Sequence, residues 1–166
     1  MNFMKKANFL NKLREERKLE LVEPSEEIKE SYLIKAGNCL RSAKILLQNG
    51  LYENSVTEAY FAMYNCVLAL LYKVGIKSEN HSASIVLVGK LFKATELFKA
   101  ISSAKEERID QQYYVESEQK HNVTKDSCND MVTKTEDFMI KTKLLIGKMN
   151  HEDVNRIRKD FEGIFK

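Results

Sequence analysis

The segment RIDQQYY, residues 108–114, packs an arginine, an acid, two amides and two tyrosines into seven positions. Those residue types suit a phosphate and a base: a guanidinium forks onto phosphate oxygens, and aromatic rings stack on nucleobases. On a helix, Arg108 shares a face with Gln111 or Gln112, and Asp110 with Tyr113 or Tyr114. Arg108 and Asp110 stand two apart and do not face each other. Arg108, Asp110, Gln112, Tyr113 and Tyr114 are therefore the candidate nucleotide- or RNA-binding residues. The competing reading is a polar network that closes the end of a helical bundle, with Asp110 paired to a neighbouring cation.

Acid–base chemistry beside Arg108 needs a group that titrates near neutral pH, which points to histidine. His81 and His121 are the candidates. His81-Ser82 opens a short apolar stretch, where the simplest role for the ring is local hydrogen bonding in the loop and cap that start a helix. His121 lies thirteen residues past Arg108, across the polar run ESEQKHN. Cys39, Cys66 and Cys128 are odd in number, far apart and without a CxxC pair, and no histidine stands at metal-ligand spacing from them. They read as buried thiols, and neither a metal nor a cofactor is expected. A formal charge of +3 is too small to argue for nucleic acid by itself.

These groups must be positioned by helices, because one proline and six glycines leave few places to break the chain. Phe3, Ala7, Leu10 and Leu13 form an amphipathic stripe opposite Lys5, Lys6, Lys12, Arg14 and Arg17, the pattern of a peripheral helix packing on a bundle. Pro24 suits the first position of a second helix running to Gln48, which stops at Asn49-Gly50. A third helix begins near Tyr52. Its large stripe includes Tyr60, Met63, Tyr64, Val67 and Leu71, flanked by small Ala59, Ala62, Cys66 and Ala69. Small residues at that spacing admit a neighbouring helix closely. Tyr60, Phe61 and Tyr64 therefore read as core or dimer interface rather than a cofactor box, and Gly75 ends the helix.

A loop over 76–80 leads to the short helix with Ile85, Val88 and Leu91, capped by Asn80 or Ser82. A further helix spans roughly 94–115, with Lys105–Arg108 read as a solvated charged face. Thr124 caps a last long helix with Cys128, Met131, Val132, Phe138 and Met139 inward, and Asn150–Phe165 forms a short helical tail. The fold expected is all-α, an antiparallel four- to five-helix bundle with an added N-terminal helix and a short C-terminal helix. It divides into an N-terminal amphipathic arm (1–23), the bundle (24–149) and a C-terminal helical tail (150–166). No apolar run approaches the ~20 residues of a membrane span. The first residues lack the apolar segment of a secretory signal, so a cytoplasmic location is expected.

The order of these pieces resembles the HEPN domain family. The resemblance lies in NGLYENSVTEAYFAMYNCVLALLYKVGI, then HSASIVLVGKLF, then a helix ending in RIDQQYY and a last long helix, over about residues 30 to 148. It implies a bundle that usually dimerises and is often encoded beside a minimal nucleotidyltransferase in a toxin–antitoxin module. It also implies, for active members, a metal-independent ribonuclease whose motif is Arg, four to six residues, then His. Here Tyr113 stands five residues after Arg108, and no arginine of the chain has that histidine spacing. Tyrosine, with a reference pKa near ~10, is a poor base at neutral pH. Loss of a positioned acid or base typically removes about 10²–10⁴ in rate.

The functional expectation is a homodimeric, non-catalytic or weakly catalytic partner of a minimal nucleotidyltransferase. It would present the Arg108–Tyr114 cleft to a nucleotide or RNA, with Tyr113 and Tyr114 as possible acceptors of a nucleotidyl group. Two alternatives stand beside it. One is a metal-independent ribonuclease with a displaced base, Arg108 working with His81 or His121. The other is a homodimeric assembly scaffold without a ligand.

Overall fold

The computed structural model describes residues 3–113 and 123–165. Among them are seven helices, α1 (Phe3–Glu15), α2 (Glu26–Gln48), α3 (Tyr52–Lys73), α4 (His81–Leu91), α5 (Thr95–Tyr113), α6 (Lys125–Lys148) and α7 (His151–Gly163). Two three-residue strands, β1 (Leu19–Leu21) and β2 (Ile76–Ser78), complete the element order. This is the all-α bundle that the helical stripes imply, with a small ribbon added.

Helix α3 lies at the centre, packed by α2, α6, α5 and α4. Its small stripe, Ala59, Ala62, Cys66 and Ala69, is wholly buried, as are Tyr60, Met63, Val67 and Leu71. The small side chains set how closely the neighbouring backbones approach, and the large ones fill the grooves between them. Where α2 crosses α3, Ser55 Oγ donates to Ala43 O at 2.7 Å, so a buried hydroxyl keeps a partner. Thr135 and Thr142 on α6 satisfy theirs on carbonyls one turn back.

Caps set most of the boundaries. Thr124 and Asn150 each form a capping box, opening α6 and α7. Asn80 opens α4 by accepting from Ala83 N at 3.0 Å. For α2 the structure corrects the sequence reading: Ser25 is the cap, accepting from Ile28 N, and Pro24 precedes the helix instead of starting it. A serine oxygen satisfies a first-turn N–H that proline would leave to solvent.

The segment 76–80, read above as loop, begins as β2, paired antiparallel to β1 with Leu19 opposite Ser78 and Leu21 opposite Ile76. This ribbon ties the N-terminal segment to the bundle, and Leu10 and Leu13 of α1 are buried with it. From the other end of the chain, α7 buries Ile157 and Phe161 and reaches the same junction through Arg158. Arg158 Nη1 donates to Val22 O at 2.7 Å, Val74 O at 3.0 Å and Gly75 O at 3.3 Å. Gly75 has φ +70°, the left-handed conformation that ends α3 and turns the chain into β2. No helix of the described residues is long and apolar enough to cross a membrane.

Candidate functional site

Asn80 caps α4 two residues after the strand ends, so His81 is the first residue of a helix whose start is fixed by the ribbon. The ring is not engaged in local loop contacts, as the sequence suggested, but reaches across to α3. Its Nδ1 is hydrogen-bonded to Tyr60 Oη at 2.8 Å. Its face stacks on Tyr64, with centroids 3.7 Å apart and planes 20° from parallel. Tyr60 is fully buried and Tyr64 nearly so, whereas Phe61 is half-buried and meets His81 edge-on.

Helix α5 brings the cations. The Arg108 guanidinium lies 5.3 Å from the Tyr60 ring centroid and 5.0 Å from that of Phe61, so it is held over two aromatic rings. One turn earlier, Lys105 donates to Ser82 Oγ at 2.6 Å. Residues three apart on a helix share a face, so Lys105 and Arg108 approach α4 together. The Tyr64 hydroxyl lies 3.4 Å from Ser84 Oγ, which donates to Ser78 Oγ at 2.8 Å and so links the site to the ribbon.

The electrostatics follow from this packing. Burial, and then the positive charges of Arg108 and Lys105, hold the His81 imidazole below its ordinary pKa. Burial and Arg108 likewise lower Lys105. Burial pushes the Tyr60 phenol up to about 12, with Tyr64 adding to the rise and Arg108 opposing it. At neutral pH the site therefore holds two cations, a neutral imidazole and a neutral phenol.

A pH dependence follows with a definite sign. The folded His81 takes a proton less readily than the unfolded one, whose reference value is 6.5. As pH falls from 6.5 towards the lower native value, the unfolded chain binds more protons and stability is lost. Urea midpoints measured from pH 7.5 to pH 5 are expected to fall less steeply for His81→Gln than for the native chain. Identical slopes would show that His81 does not carry this proton.

Of the residues singled out in the sequence, the structure brings together Arg108, His81, Tyr60, Phe61 and Tyr64. The side chains of Asp110, Gln112 and Tyr113, and the whole of Tyr114 and His121, lie outside the described residues. Lys105, read with Arg108 as a solvated charged face, is instead half-buried against Ser82, and Ser82, read as a possible cap, leaves that role to Asn80. The three-residue step from Lys105 to Arg108 was the available signal. Cys66 and Cys128 are buried free thiols, but Cys39 is half-buried. Burial and the nearby Glu58 carboxylate raise the Cys39 thiol to about 11, and burial raises Cys66 to about 12. Such thiols are poor nucleophiles at neutral pH. Among the described residues no His, Cys, Asp and Glu side chains cluster as a metal site.

Comparison with known proteins agrees with this architecture. The model of the HEPN domain matches residues 29–145. UPF0332 protein PH1297 of Pyrococcus horikoshii is 31% identical over 107 residues, covering 64% of this chain and 66% of that protein. UPF0332 protein glr0978 of Gloeobacter violaceus is 36% identical over 56 residues, 34% of this chain and 44% of that protein. The chain thus spans less than two thirds of the length of either relative. A family model covering most of the chain, on a bundle of this order, is decisive for classification: the chain belongs to the HEPN domain family.

Proposed function

We propose that this protein is a cytoplasmic, homodimeric HEPN partner of a minimal nucleotidyltransferase, in a module of the toxin–antitoxin type. In this reading it is non-catalytic or weakly catalytic and presents the cleft around Arg108 to a nucleotide or RNA. The observation that carries the binding role is the Arg108 guanidinium, held over Tyr60 and Phe61 beside Lys105 and His81. A guanidinium fixed by aromatic rings is pre-oriented for phosphate, and Phe61 is accessible enough to meet a base. The partner and module come from family membership, in which Tyr113 and Tyr114 are the candidate acceptors of a nucleotidyl group.

The second reading, a metal-independent ribonuclease with a displaced base, is favoured by one specific observation. Arg108 and His81 lie against the same two rings, Tyr60 and Phe61, where burial and then the nearby positive charges favour the neutral, proton-accepting imidazole. One experiment separates the two: mixed-structure RNA incubated in EDTA with the native protein and with Arg108→Ala, both verified as folded. The partner reading expects no cleavage by either, with nucleotide or RNA binding lost in the variant. Cleavage that disappears with Arg108 and leaves cyclic phosphate ends would replace it with the ribonuclease reading. RNA or nucleotide binding that is indifferent to Arg108 would remove the cleft from both.

A further inference from the structure

Lys105 and Arg108 present two positive charges from one face of α5 to the first residues of α4, and both charges act on His81. All three side chains are partly withdrawn from water, which makes their mutual repulsion stronger than on an open surface. An internal phosphodiester carries one negative charge. A phosphate monoester carries about −1.5 to −2 at neutral pH and has three oxygens to accept hydrogen bonds.

We propose that the cluster of Lys105, Arg108, Ser82 and His81 at the α4–α5 junction binds a terminal phosphate monoester, at the end of a nucleotide or RNA strand, and that His81 gains a proton when it binds. This rests on the reading of the cleft as a nucleotide or RNA site, and specifies which phosphate it takes. Lys105 and Arg108 offset the dianion, and the Ser82 hydroxyl, already held by Lys105, stands beside it. A dianion there reverses the field at His81, because a nearby negative charge favours the imidazolium that the cations disfavour.

The packing around the ring accommodates that proton. Among the described residues, the titratable and charged groups facing His81 are Tyr60 and Tyr64 from α3, and Lys105 and Arg108 from α5, with the Phe61 ring edge-on beside them. Glu79, at the end of the ribbon, is paired with Lys77. Tyr60 stays a neutral phenol, so its oxygen can accept from Nδ1–H of the imidazolium. The opposite ring nitrogen then carries the second N–H and donates to the phosphate. The neutral ring has one N–H, and the bound form uses two.

Calorimetry tests this with inorganic phosphate and three forms of triuridylate: 5′-phosphorylated, 3′-phosphorylated, and hydroxyl at both ends. Titrations at low salt and pH 7.5 use two phosphate-free buffers of different ionisation enthalpy. A terminal phosphate at the preferred end is expected to tighten binding about tenfold or more, as charge-assisted hydrogen bonds do. The heat should differ between buffers in the direction of proton uptake, and that difference should vanish in His81→Gln. Lys105→Gln should weaken the phosphorylated trimer more than the unphosphorylated one. Equal affinity for all trimers, or binding without proton uptake, would overturn the inference while leaving the cleft a nucleotide site. No binding of any probe to the folded protein would overturn both.

Discussion

Gly75→Ala is expected to destabilise the protein by about 3–5 kcal/mol, the sum of left-handed strain and a steric clash in a packed region. With φ +70° the backbone holds a conformation that a β-carbon disfavours. An added Cβ would also stand 2.3 Å from Val22 O and 2.9 Å from Pro24 N, backbone atoms just past β1, where Val22 N donates to Gly75 O at 2.8 Å. The Arg158 Nη1 that bridges three carbonyls there would be 2.2 Å away. Removing the arginine does not clear the space, because the Val22 carbonyl remains.

Gly50 provides the control. Its φ is +76° but an added Cβ meets nothing within 4 Å, so Gly50→Ala isolates the backbone cost, about 1 kcal/mol. For a domain of this size the Gly75 effect corresponds to a fall in Tm of roughly 10 °C, if not loss of folding. Thermal denaturation of the two variants side by side measures the difference. Equal shifts would show that the junction yields and that the clash is relieved.

The second large effect is at Tyr60, which serves the core and the candidate site at once. It is fully buried among the largest core side chains, stacks 6.2 Å from Tyr64 and is bonded to His81. Tyr60→Ala is expected to cost about 3–5 kcal/mol, as other large aromatic truncations do. Tyr60→Phe keeps the ring and removes the hydroxyl, costing about 1 kcal/mol for the lost hydrogen bond. Urea midpoints give the stabilities, and the His81 ring resonances report whether the imidazole has lost its orientation. If the phenylalanine variant leaves those resonances unmoved, Tyr60 fills space without positioning His81.

The sequence made the long helices legible because their buried residues recur at helical spacing over several turns. Thr124, next to a stripe, gave the start of α6, and the helical tail expected from Asn150 is α7, although its cap was not read. The strands had no comparable signal. Three residues are too few to show alternation, and their pairing joins segments far apart in the chain. The site was half legible. Arg108 stood out by its neighbours, but the assignment of His81 to its own loop failed because its partners, Tyr60 and Tyr64, belong to another helix. Lys105 looked like part of a solvated charged run, since nothing local in the sequence shows that Ser82 comes to meet it.

The ribbon and the Arg158 bridge bear on what counts as the smallest working unit. Residues 29–145 match the family model, yet His81 starts its helix only three positions after the last strand pair. That strand is held by Leu19–Leu21, and Val22 and Gly75 by Arg158, on opposite sides of the matched segment. A chain trimmed to the match would keep Tyr60, Lys105 and Arg108 but lose the two outer braces that set where α4 begins. The boundaries of the recognisable domain and those of the contacts that brace its candidate site are therefore different, the contacts reaching beyond the match on both sides.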